Sequence, residues 1–153
     1  MTIQEFKNQA TKELSSSPSP ALEIQVLLEY ITGDTKSQIL LKRDEELASE
    51  KAEWLTQAKK KKKTGLPIAY ITGHKEFFGY DFLVSPAVLI PKPDTEILVE
   101  KALDIILEKI DARPDSLLTI CDMCTGSGCI GIAVMKNLIE VHNIPFDRLP
   151  KIT

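Results

Sequence analysis

Apolar residues recur three and four positions apart along the first third of the chain, which is the spacing of one face of an α-helix. Ile3, Phe6, Ala10 and Leu14 form the first stripe, and Ser15-Ser16-Ser17-Pro18 ends it. Ser19 then offers an N-cap with Pro20 at the first helical position. The spacing predicts a second helix with Leu22, Val26, Leu27, Tyr30 and Ile31 on its apolar face and a stop at Gly33. Thr35 and Gln38 make a capping box ahead of Ile39, Leu40 and Leu41. A fourth helix is predicted from about Glu45 to Thr64, with Leu47, Trp54, Leu55 and Ala58 inward. It ends on lysines and Gly65, which suit the negative end of a helix dipole and a left-handed cap. Residues 1–65 therefore read as an all-helical bundle.

The period changes after Pro67. The run from Glu76 to Val84 is aromatic and apolar around Gly79, which predicts a β-hairpin closed by Ser85-Pro86. Val88-Leu89-Ile90 predicts a short extended stretch halted by Pro91 and Pro93, so residues 66–93 read as a hairpin and linker. Asp94 can cap a helix from Thr95 to about Ile110 that is apolar on most of its surface, as in a helix sandwiched between two layers. Arg113-Pro114-Asp115 predicts a turn, Leu117 to Cys121 a buried strand, Asp122 to Gly128 a turn of small residues, and Ile130 to Val141 an apolar helix. Strand, glycine turn and helix in this order open a doubly wound α/β fold. Residues 94–153 thus read as the first part of such a domain, incomplete, with Lys151-Ile152-Thr153 beginning a second strand.

Composition narrows the class. At 153 residues, 43% hydrophobic and 27% charged, the chain has the make-up of a globular protein and too much apolar content for disorder. It lacks both the apolar block of a signal peptide and a run long enough to span a bilayer, so no membrane partner and a cytoplasmic location are expected. A net charge of −3 argues against nucleic acid as the main partner. Cys121, Cys124 and Cys129 are clustered rather than spread as a disulfide framework, and neither His74 nor His142 has ligand spacing to them, so no metal is expected. The lysine run from Lys59 to Lys63 reads as a solvated helix end, and Trp54 as core.

The candidate chemistry lies in the glycine turn. Such a turn lets backbone pass close under a ligand, and the helix after it presents free N–H groups. Gly126, Gly128 and Gly131 spell G-x-G-x-x-G, the dinucleotide fingerprint, with Asp147 near the distance of a ribose acid. S-adenosyl-L-methionine (SAM) carries a sulfonium and an ammonium instead of phosphates. A site for it gains from an acid at the strand end, where Asp122 stands. A strand-to-helix turn with no ligand is the third alternative.

Four blocks occur in order: Gly65-Leu-Pro-Ile-Ala-Tyr-Ile-Thr-Gly73, Glu76-Phe-Phe-Gly79, Val88-Leu-Ile-Pro-Lys-Pro-Asp-Thr-Glu96 and Asp122-Met-Cys-Thr-Gly-Ser-Gly128. The series resembles the HemK-type release factor glutamine methyltransferases, N-terminal portion only, most specifically in the Ile-Pro-Lys-Pro-Asp-Thr-Glu block. The resemblance implies a helical domain ahead of a Rossmann-like class I methyltransferase domain. It implies SAM as cofactor, peptide chain release factors as protein partners, and methylation of the glutamine side-chain amide in their Gly-Gly-Gln motif. Carried over, Asp122, Cys124, Thr125, Gly126, Ser127 and Gly128 border the cofactor, while Phe77, Pro91, Pro93, Asp94, Thr95 and Glu96 border the substrate glutamine. Residues 1–65 become a substrate-recognition domain.

Two positions depart from the family pattern. Lys92 replaces the usual arginine, which keeps charge and loses a bidentate fork. Cys124 stands where many members have glycine, which suits only a position without positive φ. The family's ribose acid and its Asn-Pro-Pro-Tyr motif are expected beyond Thr153, so no catalytic residue is assigned and the chain alone is expected to be inactive, half folded and prone to self-association. The rival functions are a dinucleotide-dependent oxidoreductase and a non-catalytic release-factor-binding module.

Overall fold

A computed structural model describes residues 1–113 and 116–153. They form two compact units, Met1–Thr72 and Gly73–Thr153. The expected turn at Arg113-Pro114-Asp115 falls largely outside the described residues.

The first unit is helical. Helix α1 (Ile3–Glu13) starts in a capping box: Thr2 Oγ1 accepts from the Glu5 N–H at 3.1 Å and Glu5 Oε2 from the Thr2 N–H at 2.9 Å. It buries Ile3, Phe6 and Ala10, with Leu14 buried at its C-cap. Helix α2 (Pro20–Thr32) ends at Gly33 with φ 76°. Ser19 makes no side-chain cap, and the Ser17 hydroxyl donates to Glu23 Oε2 at 2.6 Å. Its buried face is Ile24, Gln25, Leu27 and Leu28, whereas Leu22, Val26 and Tyr30 of the expected stripe are exposed. Apolar residues surround most of this helix, so periodicity alone admits either face, and packing selects one.

Helix α3 (Lys36–Leu41) has the expected Thr35–Gln38 capping box and buries Ile39, but Leu40 and Leu41 lie exposed. Helix α4 is Ser49–Lys63, later than the expected start at Glu45. The residues in between run extended against the N-terminus instead, with Ile3 N–H donating to Glu45 O at 3.0 Å and Leu47 N–H to Met1 O at 3.1 Å. The lysine run is not simply solvated. Lys59 and Lys63 both pair with Glu13, and Lys62 pairs with Glu23 at 2.8 Å, so the run ties α4 to α1 and α2. The expectation failed because the long lysine side chains reach acids on neighbouring helices, the Lys59 ammonium also lying 6.0 Å from the Phe6 ring centroid. A short helix α5 (Ile68–Thr72) carries the helical unit past residue 65 by packing Ile68 and Ile71 against the bundle core. Trp54 also packs there, its ring centroid 5.2 Å from that of Tyr30.

The second unit begins with an antiparallel hairpin, β1 (His74–Phe77) and β2 (Tyr80–Leu83), in which Phe77 faces Tyr80. The connecting Phe78 and Gly79 have φ 53° and 77°, both positive as a tight primed turn requires. Val88-Leu89-Ile90 forms no strand: the chain turns there, with Val88 N–H on Ser85 O at 3.0 Å. Asp94 makes no side-chain cap and lies in a single 3₁₀ turn, Pro93–Thr95, leading into α6 (Glu96–Ala112). That helix buries Val99, Leu103, Ile106 and Ile110 and exposes Ile97, Leu98 and Ile105, so one face is covered rather than two.

Strand β3 (Thr119–Ile120) is shorter than expected and not buried, with Thr119 exposed and Ile120 half-buried, and it pairs in parallel with β4 (Lys151–Ile152). Bonds from Lys151 N–H to Leu118 O, Thr153 N–H to Ile120 O and Asp122 N–H to Thr153 O, at 2.9–3.0 Å, extend the ladder. Helix α7 (Cys129–Glu140) makes the crossover that a parallel pair needs. Phe77, Phe82, Val99, Leu103, Cys129, Ala133 and Leu138 share one core. The fold is therefore mostly helical, with a two-stranded hairpin and two short parallel strands. Among the described residues no helix is long and apolar enough to cross a membrane.

Candidate functional site at the glycine turn

Between β3 and α7 the chain makes two successive tight turns, the second closed by Gly128 N–H on Thr125 O at 2.9 Å. Left-handed backbone recurs through them: φ is 62° at Cys124, 57° at Gly126 and 74° at Gly128. Cys124 thus occupies a position that does need positive φ, where an L-residue costs about 1–2 kcal/mol relative to glycine. Asp122 is half-buried at the end of the ladder, and its Oδ2 accepts the Thr125 hydroxyl at 2.9 Å. Thr125 and Gly126 are exposed, and Ser127 and Gly128 are half-buried. Gly128 caps α7 without a side-chain hydrogen bond, so a ligand can reach the first turn's N–H groups.

Gly131 lets α7 lie close to the strands: a Cβ there would stand 3.3 Å from Asp122 Oδ2 and 3.4 Å from Ile152 Cγ2. A cleft of about 270 Å³ opens beside the acid, lined mainly by Leu98, Ile106, Ile120, Ile130, Val134 and Ile152. The turn therefore joins one carboxylate, a set of backbone donors and an apolar wall.

The second group of expected residues lies on α6 and the hairpin. Pro91 is buried, Pro93 and Asp94 are exposed, and Thr95 and Glu96 are half-buried. Glu96 Oε1 accepts the N–H of Phe78 at 3.2 Å, which brings the Pro91–Glu96 segment to the hairpin tip. Phe77 is fully buried, edge-on to Phe82 with centroids 6.1 Å apart. Its ring belongs to the core of the unit and presents no surface to a ligand.

Asp147, the alternative ribose acid, sits in the 3₁₀ turn Phe146–Arg148 ahead of β4, whereas Asp122 follows β3. Because the strands are parallel, the two acids stand at opposite ends of the sheet. Cys121 and Cys124 are exposed and Cys129 is buried in the first turn of α7. Among the described residues, no three metal-ligating side chains converge.

Sequence reasoning missed two contacts here: the Gly131 approach to Asp122, and the Glu96 tie. It also missed a cluster on α7. Lys136 lies 4.8 Å from the Tyr80 ring centroid and 2.7 Å from Glu140. Lys136 holds the Glu140 carboxyl below its ordinary value, and burial, then Glu140, pushes Tyr80 up. The i,i+4 spacing of Lys136 and Glu140 was its only signal in the sequence.

Residues 5–73 match the PrmC N-terminal domain family. Over 150 residues, that domain included, the chain is 35% identical to the release factor glutamine methyltransferase of Escherichia coli strain K12, covering 98% of this chain and 52% of that protein. The chain resembles release factor glutamine methyltransferases almost throughout. The enzymes of that name from Moorella thermoacetica and Haemophilus influenzae are each 39% identical to it, over 98% and 96% of this chain and 52% of theirs. The chain spans about half the length of the curated relatives it matches.

Proposed function

We propose that this chain carries the cofactor-binding opening of a SAM-dependent methyltransferase acting on the glutamine side-chain amide in the Gly-Gly-Gln motif of release factors. The observation that carries the reading is the half-buried Asp122 at the strand end, followed by a left-handed glycine turn and an uncapped helix start. SAM, when bound, supplies an electrophilic methyl group on sulfonium. The donor set suits it: Asp122 offers a carboxylate to the cationic part, and the backbone at Gly126 and Gly128 can approach a ligand without side-chain bulk, in a strand–helix–strand unit of the Rossmann-like kind. An amide nitrogen is a weak nucleophile because its lone pair is delocalised, so transfer depends on alignment and on acceptors aimed at its N–H groups. The Pro91–Glu96 segment is proposed to border the glutamine, and the helical unit to recognise the release factor, in the cytoplasm.

The dinucleotide reading loses its acid, since Asp147 lies at the far end of the sheet from the turn. Calorimetry with SAM and with NAD tests the choice. SAM is expected to bind the full-length protein, and Gly126→Val to abolish binding by forcing a β-branched residue into φ 57°. NAD binding without SAM binding would overturn the reading, and unchanged SAM affinity in Gly126→Val would remove the turn from the site.

A further inference from the structure

Phe78 is an unusual residue for the left-handed position that the primed turn imposes on it. A bulky aromatic with φ 53° is rare, and a two-residue turn of this kind favours Asn-Gly. Both central amides of the turn are held by carboxylates. Gly79 N–H donates to Glu76 Oε1 at 2.6 Å, within the hairpin, and Phe78 N–H to Glu96 Oε1 at 3.2 Å. Glu96 is the first residue of α6, so the second bond is a tie between separate elements. Directly before it lie the buried Pro91 and the exposed Pro93 and Asp94, and beneath it Phe77 and Val99 share the core.

We infer that Glu96 is a positioning residue: by holding the strained hairpin tip to the start of α6, it fixes the Pro91–Thr95 segment along the border of the substrate glutamine. This rests on the proposed function. The proline-rich segment has no strand or regular helix of its own beyond one 3₁₀ turn, so its placement depends on what anchors its ends. The buried Pro91 anchors one end, and the Glu96 carboxylate anchors the other. A carboxylate at the first turn of a helix is also favoured by the helix dipole.

The test compares Glu96→Gln, which keeps an oxygen acceptor, with Glu96→Ala, which does not. SAM is titrated into each variant of the full-length protein by calorimetry, a Gly-Gly-Gln peptide is titrated into the SAM-loaded protein, and exchange of the Phe78 amide proton is followed by NMR. Glu96→Ala is expected to weaken the peptide about five- to tenfold, the worth of one lost hydrogen bond, with SAM affinity held within about twofold. Its Phe78 amide should exchange faster, and Glu96→Gln, which keeps the acceptor, should recover most of the peptide affinity and of the slow exchange that Glu96→Ala loses. Peptide affinity unchanged in Glu96→Ala would overturn the inference, as would an equal loss for SAM and peptide, which marks general destabilisation. A full-length wild-type protein that binds no SAM overturns the proposed function instead. The Phe78 exchange rate then still judges the tie, which falls if that rate is the same in wild type and Glu96→Ala.

Discussion

Gly131 and Asp122 are in contact across the start of α7: the site of the missing Cβ lies 3.3 Å from the carboxylate oxygen Oδ2. A methyl group there is tighter than ordinary packing allows, and its other neighbour, Ile152 Cγ2 at 3.4 Å, belongs to β4. The carboxylate, which accepts the Thr125 hydroxyl on that oxygen, is the softer of the two. Gly131→Ala should therefore displace Asp122 more than the sheet. Overpacking of this kind costs about 1–3 kcal/mol. The expected outcome is stability lowered near the bottom of that range in urea titration, with SAM affinity reduced about tenfold in calorimetry. Full affinity in a folded variant would mean that Asp122 does not face the ligand.

Cys124 yields a prediction of opposite sign. Its φ of 62° carries the left-handed penalty of about 1–2 kcal/mol for an L-residue. Replacing it with glycine removes that strain and adds unfolded-state entropy worth about 0.4–1 kcal/mol. The strain term wins, because the exposed thiol contributes little packing. Cys124→Gly should stabilise the second unit by about 0.5–1 kcal/mol. A lower urea midpoint would show that the thiol makes an interaction worth more than the strain.

The helical unit should lose stability in acid over a defined window. Hydrogen bonds from Lys59 and then Lys63 bring the Glu13 carboxyl from 4.5 down to about 2. A carboxyl whose value is depressed on folding stabilises the folded state above its unfolded value and stops doing so once it is protonated. The contribution is therefore full above about pH 4.5 and is lost as pH falls towards 2. Thermal midpoints at pH 5, 3 and 2 should fall more steeply for wild type than for Glu13→Gln. High salt should narrow the difference, because the pair is partly exposed. Parallel profiles for the two proteins would remove Glu13 from the acid response.

Local signals in the sequence were the legible ones. The Thr35–Gln38 capping box, the Gly33 stop and the Glu76–Val84 hairpin depend on a few adjacent residues, and each stands as read. What depended on long-range packing was not legible. The face of α2 that turns inward is set by α1, α4 and α5, not by its own nearly continuous apolar surface. The late start of α4 follows from pairing with Met1 and Ile3, at the far end of the chain. At the candidate site, Asp122 and the glycines announced themselves by order and spacing. The Glu96 tie and the Gly131 approach did not, because each joins residues brought together only by folding. Phe77 and Phe78 were adjacent aromatics, and alternation alone does not say which of the two is enclosed.

The boundary of the helical unit gives the last prediction. Composition suggests an end near Gly65, where lysines and a glycine close α4, yet α5 continues the compact unit to Thr72. Ile68 and Ile71 are partly buried against a core of Phe6, Leu27, Leu28 and Leu55. Full burial of such a side chain is worth about 1.5–3 kcal/mol, so two half-buried isoleucines contribute about 2 kcal/mol. A unit this small has a total stability near 5 kcal/mol or less, and removing α5 therefore takes a large share. A peptide of residues 1–72 should melt cooperatively by circular dichroism. One of residues 1–65 should melt about 8–16 °C lower, since 1 kcal/mol shifts the midpoint of a domain of this size by about 4–8 °C. The ion pairs of Lys59, Lys62 and Lys63 with Glu13 and Glu23 lie inside both peptides, so they cancel in the comparison. Equal melting temperatures would show that α5 rests on the bundle without supporting it, and the functional boundary would then move back to the end of α4.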